Sequence, residues 1–333
     1  MPANNSPTAR NAGQRLMVGF DGKVFNDQLK FYLQELNVGG LMLFGRNLES
    51  ADQIEDLCGS AQAYAKSCGS PPLFIGIDQE GGVVARLKPP FTQFPGNPAM
   101  RTLEDAMTFA RITARELTQI GVNVNMAPVL DVLPGEGASV MRDRSFGPDP
   151  HKAAEMGVTI IDHLQRNGVM AVAKHFPGIG RTILDSHEDL PDLDIDAHSL
   201  AAVDLIPFQA AIAQGVGGVM LSHIRYTRID PRWPASLSPA IASDLLRREM
   251  GFDGLVLTDD LDMGAIAKHH DVPAIVAQCL TAGIDILLIC HAGPNIEHAF
   301  HQIQHSTDNS KEMADKMRRS LDRIHKAKQR FLV

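Results

Sequence analysis

This chain has no surplus of positive charge, no long apolar run and no paired-cysteine motif, and each absence removes a class of function. Its 333 residues carry 31 Lys and Arg against 39 Asp and Glu, a formal net charge of −8. Nucleic acids and anionic membranes are gripped through basic patches. No Lys/Arg-rich run or basic amphipathic helix offsets the acidic balance, so neither is expected as a partner. No window approaches the roughly 18–20 apolar residues of a membrane span, and the N-terminal MPANNSPTARNAGQRLMVGF lacks the apolar stretch of a secretory signal. The four cysteines, Cys58, Cys68, Cys279 and Cys290, show no CxxC spacing and read as reduced, buried thiols. A cytoplasmic protein is expected. HxH on the first strand, HExxH and Cys/His clusters are also missing, so neither a metal nor another cofactor is expected. His151 and the His269–His270 pair lie in polar stretches and read as solvated.

No low-complexity tract, repeat or linker marks a domain boundary. Apolar residues make up 44% and charged ones 21%, the balance of a globular protein with a sizeable core. Short apolar runs recur at Leu16 to Phe20, Gly40 to Phe44, Leu73 to Ile77, Val122 to Ala127, Val169 to Ala173, Gly217 to Ser222, Gly254 to Thr258 and Asp285 to Cys290. Most are continuous rather than alternating, as parallel strands covered on both faces should be. Between them lie helical patterns: the stretches after Ser50 and Thr102, which read as N-caps, then Lys152 to Gln165, Leu200 to Gln214, Pro239 to Glu249, Pro273 to Ala282 and Lys311 to Phe331. The expected fold is α/β, a single (β/α)8 TIM-type barrel spanning 1–333 as one domain. A doubly wound open sheet is the alternative, disfavoured because no GxGxxG turn follows the first strand.

In such a barrel the residues just past each strand line the working face. Here they are Asp21, Arg46, Asp78, Asp131, Lys174 with His175, His223, Asp259 with Asp260, and His291. A carboxylate fixed at a strand end, as Asp259 would be, suits a nucleophile that must sit within about 3 Å of a reacting carbon. Asp260 reads instead as a cap for the following helix. Asp185 and His187 stand two apart in a loop, where the acid would fix the imidazole tautomer and leave the other nitrogen to move a proton. Asp78, the Gly81–Gly82 pair and Arg86 offer groups for sugar hydroxyls with close backbone approach. Arg142 to Phe146 after the fourth run adds further donors, with a surface ion pair between Asp143 and Arg144 as the alternative. The glycines at 178 and 180 read as hinges of a loop that closes over the site.

The motifs IDQEGGVVAR (Ile77 to Arg86), NMAPVLDV (Asn125 to Val132), DRSFG (Asp143 to Gly147), KHFPGIG with DSH, and LLRREMGFDGLVLTDDLDM (Leu245 to Met263), in this order over nearly the whole chain, resemble glycoside hydrolase family 3, specifically its single-domain bacterial β-N-acetylglucosaminidases of peptidoglycan recycling. The resemblance implies a retaining hydrolase of terminal β-linked N-acetylglucosamine (GlcNAc). It implies Asp259 as nucleophile, His187 with Asp185 as acid/base, and Asp78, Arg86, Arg144, Lys174 and His175 as substrate-binding groups. Two-domain members of the family take the acid from a second domain; here a barrel loop is expected to supply it. The implied partner is a small carbohydrate, a muropeptide in which GlcNAc is linked to 1,6-anhydro-N-acetylmuramic acid. One departure is visible: the family usually reads KHFPGHG, and Ile179 stands in place of the second histidine. A β-glucosidase or glycoside phosphorylase on the same barrel, and an inactive sugar-binding protein, are the competing readings.

Overall fold

A computed structural model of the chain describes residues 7–135, 137–184, 186 and 188–333. Eight parallel strands close into a barrel: β1 (Leu16–Val18), β2 (Gly40–Leu43), β3 (Phe74–Ile77), β4 (Val124–Asn125), β5 (Met170–Phe176), β6 (Gly218–Leu221), β7 (Leu255–Asp260) and β8 (Ile286–Ile289). Each strand pairs with its sequence neighbours and β8 returns to β1. The fold is the single (β/α)8 barrel that the eight apolar runs predict.

The runs are continuous because both strand faces are buried. Outward residues such as Leu16, Val18, Leu41, Leu43, Ile75 and Ile77 pack under the helices. Inward residues form a separate interior cluster containing Met17, Met42, Met126, Met170 and Met220 with Phe74, Val172, Leu257 and Leu288. Flexible thioether side chains fill an irregular barrel interior well. Gly76 makes room for them: a Cβ there would stand 2.4 Å from Met17 Cε.

The expected caps form. Ser50 Oγ accepts from the Gln53 N–H before the helix Ala51–Ser67, and Thr102 and Asp105 make a capping box before Leu103–Gln119. The helix predicted over Leu200 to Gln214 is divided into Ala197–Ala202 and Leu205–Ala213, with Asp204 buried between them and paired with Arg181 at 3.1 Å. Helices beyond the sequence reading include Asp27–Gln34 and Pro294–Asn309. The second buries Ile296, Ala299, Phe300 and Ile303, a helical stripe concealed by the polar residues around it. Among the described residues no helix is long and apolar enough to cross a membrane. All four cysteines are free, and burial pushes the Cys58 and Cys279 thiols up to about 12.

The last helix, Lys311–Leu332, lies across the N-terminal ends of the strands and presses Leu321, Ile324, Ala327, Phe331 and Leu332 onto the interior cluster. Lys328 accompanies them, 2% exposed, with its ammonium 2.8 Å from Gln14 Oε1, 3.1 Å from the Gly39 carbonyl and over the Phe74 ring. Burial with no carboxylate partner lowers its amine from 10.5 to about 7. Between those two values the unfolded chain holds a proton that the folded chain does not. Stability contributed at this position is therefore lost as pH falls from about 10 to 7 and is fully lost below 7. Lys328→Met should flatten that part of the stability curve, read as urea midpoints at pH 6, 8 and 10. A wild-type slope retained in the variant would place the titration elsewhere.

Candidate active site

The C-terminal ends of the strands converge on a cavity of about 150 Å³. Its walls contain Asp78 just past β3, Lys174 and His175 on β5, Asp259 and Asp260 on β7, and Arg86 and Arg144 from the intervening loops. The described residues proposed as nucleophile and substrate-binding groups thus line one cavity. Met42, Phe44, Met220, Met263, Leu288 and Cys290 supply its apolar side. Asp185 and His187 lie outside the described residues.

A charge network organises the polar wall. Lys174 Nζ lies 2.8 Å from Asp78 Oδ1 and 2.7 Å from Glu80 Oε1. Arg144 grips Glu80 with two parallel bonds, Nε at 3.0 Å and Nη2 at 2.7 Å. Arg86 Nη2 approaches Asp78 Oδ2 at 3.3 Å, while its Nε is a buried donor with no acceptor among the described residues. Burial alone would push both carboxyls up, but Lys174 and Arg86 hold Asp78 at about 2, and Lys174 and Arg144 keep Glu80 below its ordinary value. The same carboxylates outweigh burial at Lys174 and raise its ammonium.

Glu80 has no role in the sequence reading, although it stands two residues beyond Asp78 in the same QEGG stretch. It decides against the alternative of an Asp143–Arg144 surface pair: the guanidinium turns inward to Glu80, because a buried acid offers it a bidentate partner. Asp131 appears in the sequence only as a strand-end acid. In the fold it is fully buried, and its Oδ2 lies 2.8 Å from His175 Nδ1 while its Oδ1 accepts the Ile179 N–H at 2.8 Å. The carboxylate fixes the imidazole and leaves Nε2 facing Arg144 at 3.5 Å.

Asp259 sits where β7 opens into the cavity. Burial pushes its carboxyl up, but His223, His175, the Asp260 N–H and Lys174 together hold it below its ordinary value. The Asp260 N–H donates to Asp259 Oδ1 at 2.8 Å. His223 is itself positioned by Ser236 Oγ at 2.7 Å and by the Asp260 carbonyl at 2.9 Å. Since a carbonyl only accepts, His223 Nε2 is the donor in that second bond. Asp260 is not a helix cap. The helix Gly264–Ala267 begins at Met263, and Asp260 Oδ1 instead accepts the Cys290 and Asp262 N–H groups at 3.0 and 3.1 Å, joining the end of β7 to β8. Burial pushes this carboxyl up to about 6, so the two adjacent acids titrate apart and Asp259 keeps its charge to lower pH than Asp260. Asp260, Asp262 and His291 offer ligand atoms within 4.8 Å of one another. Their carboxylates already serve the Cys290 and His291 N–H groups and the Asn295 amide, a use that needs no ion.

The outer strand-end residues stay apart from the cavity. Asp21 and Arg46 pair with each other at 3.2 Å, and His291 is exposed. His269 is not merely solvated: it pairs with Asp189 at 2.7 Å. Gly178 and Gly180, read as hinges, also have a packing use. Gly178 takes φ +124°, and a Cβ on Gly180 would stand 1.9 Å from the Val132 carbonyl oxygen. Both are glycine because the chain is packed there. Ile179 between them is 7% exposed and belongs to the main core.

The sequence profile of the glycosyl hydrolase family 3 N-terminal domain matches residues 8–327. A β-hexosaminidase from Nitrosomonas eutropha is 35% identical over 298 residues, 87% of this chain and 84% of its own length. The solved family 3 β-N-acetylglucosaminidase from Paenibacillus sp. superposes with a TM-score of 0.93 at 36% identity, covering 97% of this chain; this chain spans 62% of that longer one. A β-N-acetylhexosaminidase from Beutenbergia cavernae superposes with a TM-score of 0.89 at 28% identity over 98% of this chain and 99% of its own.

Removing Glu80 would leave the buried Lys174 with Asp78 alone as an ion-pair partner, and Arg144 with none, among the described residues. Breaking a buried ion pair from one side costs about 3–5 kcal/mol. Glu80→Ala should therefore lose about 3 kcal/mol in urea unfolding. A loss below about 1 kcal/mol, the range of a surface pair, would show that the network does not depend on this carboxylate.

Proposed function

The chain belongs to glycosyl hydrolase family 3, a family of glycoside hydrolases, and we propose that it is a retaining β-N-acetylglucosaminidase with Asp259 as its nucleophile. The observation that carries this reading is Asp259, its carboxyl held below the ordinary value, at the end of a strand and sharing one cavity with Asp78, Arg86, Arg144, Lys174 and His175. The Asp259 carboxylate attacks the anomeric carbon as the glycosidic C–O bond breaks. The departing oxygen takes a proton from His187, whose ring Asp185 orients. His187 then removes a proton from the attacking water, which displaces the aspartate and restores the original anomeric configuration. The roles of His187 and Asp185 rest on their sequence pattern.

The remaining groups hold the sugar. Asp78 accepts from hydroxyls while Arg86, Arg144, Lys174 and His175 donate, with the orphan Arg86 Nε as a donor in want of an acceptor. The apolar side formed by Met42, Phe44, Met220 and Met263 suits a sugar face or the methyl of an acetamido group. Burial pushes the Cys290 thiol well above its ordinary value, which makes it part of this apolar lining rather than a second nucleophile. The natural substrate in this reading is the cytoplasmic muropeptide GlcNAc linked to 1,6-anhydro-N-acetylmuramic acid, and residues 1–333 act as one domain.

The separating assay compares release from aryl β-GlcNAc and aryl β-glucoside, with and without phosphate. We expect hydrolysis of the GlcNAc substrate, with retention of configuration and no phosphate requirement. Preference for the glucoside, or phosphate-dependent turnover, would transfer the reading to a glucosidase or a phosphorylase. Asp259→Asn should lower turnover by several orders of magnitude without unfolding the chain, and a 2-fluoro sugar inactivator should label Asp259. Labelling of Asp260 or Asp262 would refute the assignment. His187→Ala should slow substrates with poor leaving groups far more than nitrophenyl glycosides, which need little protonation; equal losses on both would remove His187 from the acid role.

A further inference from the structure

The opposite end of the barrel carries a second concentration of charge that no step of this reaction uses. Beside the last helix, where β1 and β8 begin, lies a cavity of about 210 Å³ lined by Arg15, Ser243, Arg247, Lys316, Arg319 and Arg323. Five of these side chains are cations, and no described lining residue is an acid. The buried carboxylate beside them is Asp285. Its oxygens are already taken: Arg247 Nη2 and the Val256 N–H bind Oδ2, and Arg323 binds Oδ1 through Nε at 3.0 Å and Nη2 at 2.9 Å.

The cations therefore outnumber what the fold neutralises. Arg15 is 2% exposed and, among the described residues, its guanidinium hydrogen-bonds only the backbone carbonyls of Ile284 and Asp285. Burial pulls this guanidinium down to about 10 in spite of the nearby Asp285 charge. Arg247 Nε is buried with no acceptor among the described residues. Arg319 is exposed and has no ion-pair partner among them, and Lys316 pairs at 3.0 Å with the exposed Glu312. Arg247 also projects from a π-helix, Ala240–Glu249, a winding that is rare and frequently accompanies functional sites. Clamping Asp285 accounts for Arg247 and Arg323. It does not account for a third buried guanidinium, or for a concave rim of two further cations.

We propose that this cavity is an anion site that takes a phosphate-type dianion, either inorganic phosphate or the phosphoryl end of a small phosphorylated metabolite. Guanidinium forks match the oxygens of a tetrahedral oxyanion and form charge-assisted bonds with it. A dianion would offset two of the positive charges that Asp285 leaves uncompensated and give Arg247 Nε an acceptor. It would also join three separate pieces of chain, the start of β1 through Arg15, the π-helix through Arg247, and the last helix through Lys316, Arg319 and Arg323. A ligand held only by the folded state stabilises that state by mass action.

The test uses the whole chain, with ionic strength held constant by sodium chloride. Titration with inorganic phosphate, and separately with glucose 6-phosphate, should raise Tm saturably, and calorimetry should give matching affinities. The tighter of the two probes identifies the source of the phosphoryl group. In Arg319→Gln/Lys316→Gln, which alters side chains at the rim and should leave aryl β-GlcNAc hydrolysis unchanged, binding should weaken at least about tenfold, the loss of roughly 1.4 kcal/mol. The proposal fails if Tm follows ionic strength whichever anion is present. It fails equally if the double variant keeps the full saturable response, since the phosphate would then be bound elsewhere on the molecule.

Discussion

A lysine ammonium only 3% exposed is tolerable because two carboxylates reach it at once. Lys174 lies between Asp78 and Glu80 at 2.8 and 2.7 Å, and the working face is arranged around that triangle. Moving such charges out of water costs several kcal/mol each unless the geometry satisfies them. Satisfying them here requires the end of β5, the turn after β3 and the loop carrying Arg144 to meet at fixed distances. Asp78 is held ionised as a consequence, ready to accept from a ligand. Lys174 acts with His223, His175 and the Asp260 N–H to overcome the burial of Asp259. The nucleophile proposed at Asp259 would depend on this preorganised environment to stay ionised in a closed pocket.

The barrel interior keeps this arrangement separate from the other end of the molecule. The methionine-rich interior cluster fills the space between the faces with apolar atoms. Strand β7 spans both regions: the Val256 N–H is held by Asp285 near the barrel floor, and Asp259 opens into the cavity three residues later. At about 3.3 Å per residue that is a separation of about 10 Å, over which a rigid strand transmits position well. Asp285 and its guanidiniums thus anchor the lower end of the strand whose upper end carries the proposed nucleophile. The N-terminal face of such barrels generally serves stability, and the anchoring half of this cluster fits that use. The uncompensated cations around it do not.

Much of this was legible in the sequence. Short apolar runs, most of them continuous because both strand faces are buried, located all eight strands, and Ser50 and Thr102 marked two helix starts through their side-chain oxygens. The cavity residues Asp78, Lys174, His175 and Asp259 were visible as polar groups immediately following those runs. Glu80, Asp131 and the true partner of Arg144 were not, because each depends on which distant loop faces it. The Arg144–Glu80 pair joins residues 64 apart in the chain, and spacing carries no record of such a meeting. Asp260 misled for a related reason: an acid before a short helix resembles a cap, but the register of β8 brought the Cys290 N–H to it first.

The KHFPGIG segment shows how a departure from a motif can leave the site's geometry untouched. Asp131 holds His175 through the ring nitrogen and also binds the backbone N–H of residue 179. Any residue other than proline would supply that second contact, so the hydrogen bond is indifferent to the side chain. The neighbouring glycines are not interchangeable in the same way, because the Val132 carbonyl occupies the position a Cβ of residue 180 would need. What position 179 decides is packing. The isoleucine side chain is 7% exposed and lies within the main core, where a histidine would bring two ring nitrogens that need partners. The substitution therefore trades a polar group for buried apolar surface on the far side of a backbone whose contacts to Asp131 stay fixed. His175 keeps its orientation, and with it the field at Asp259.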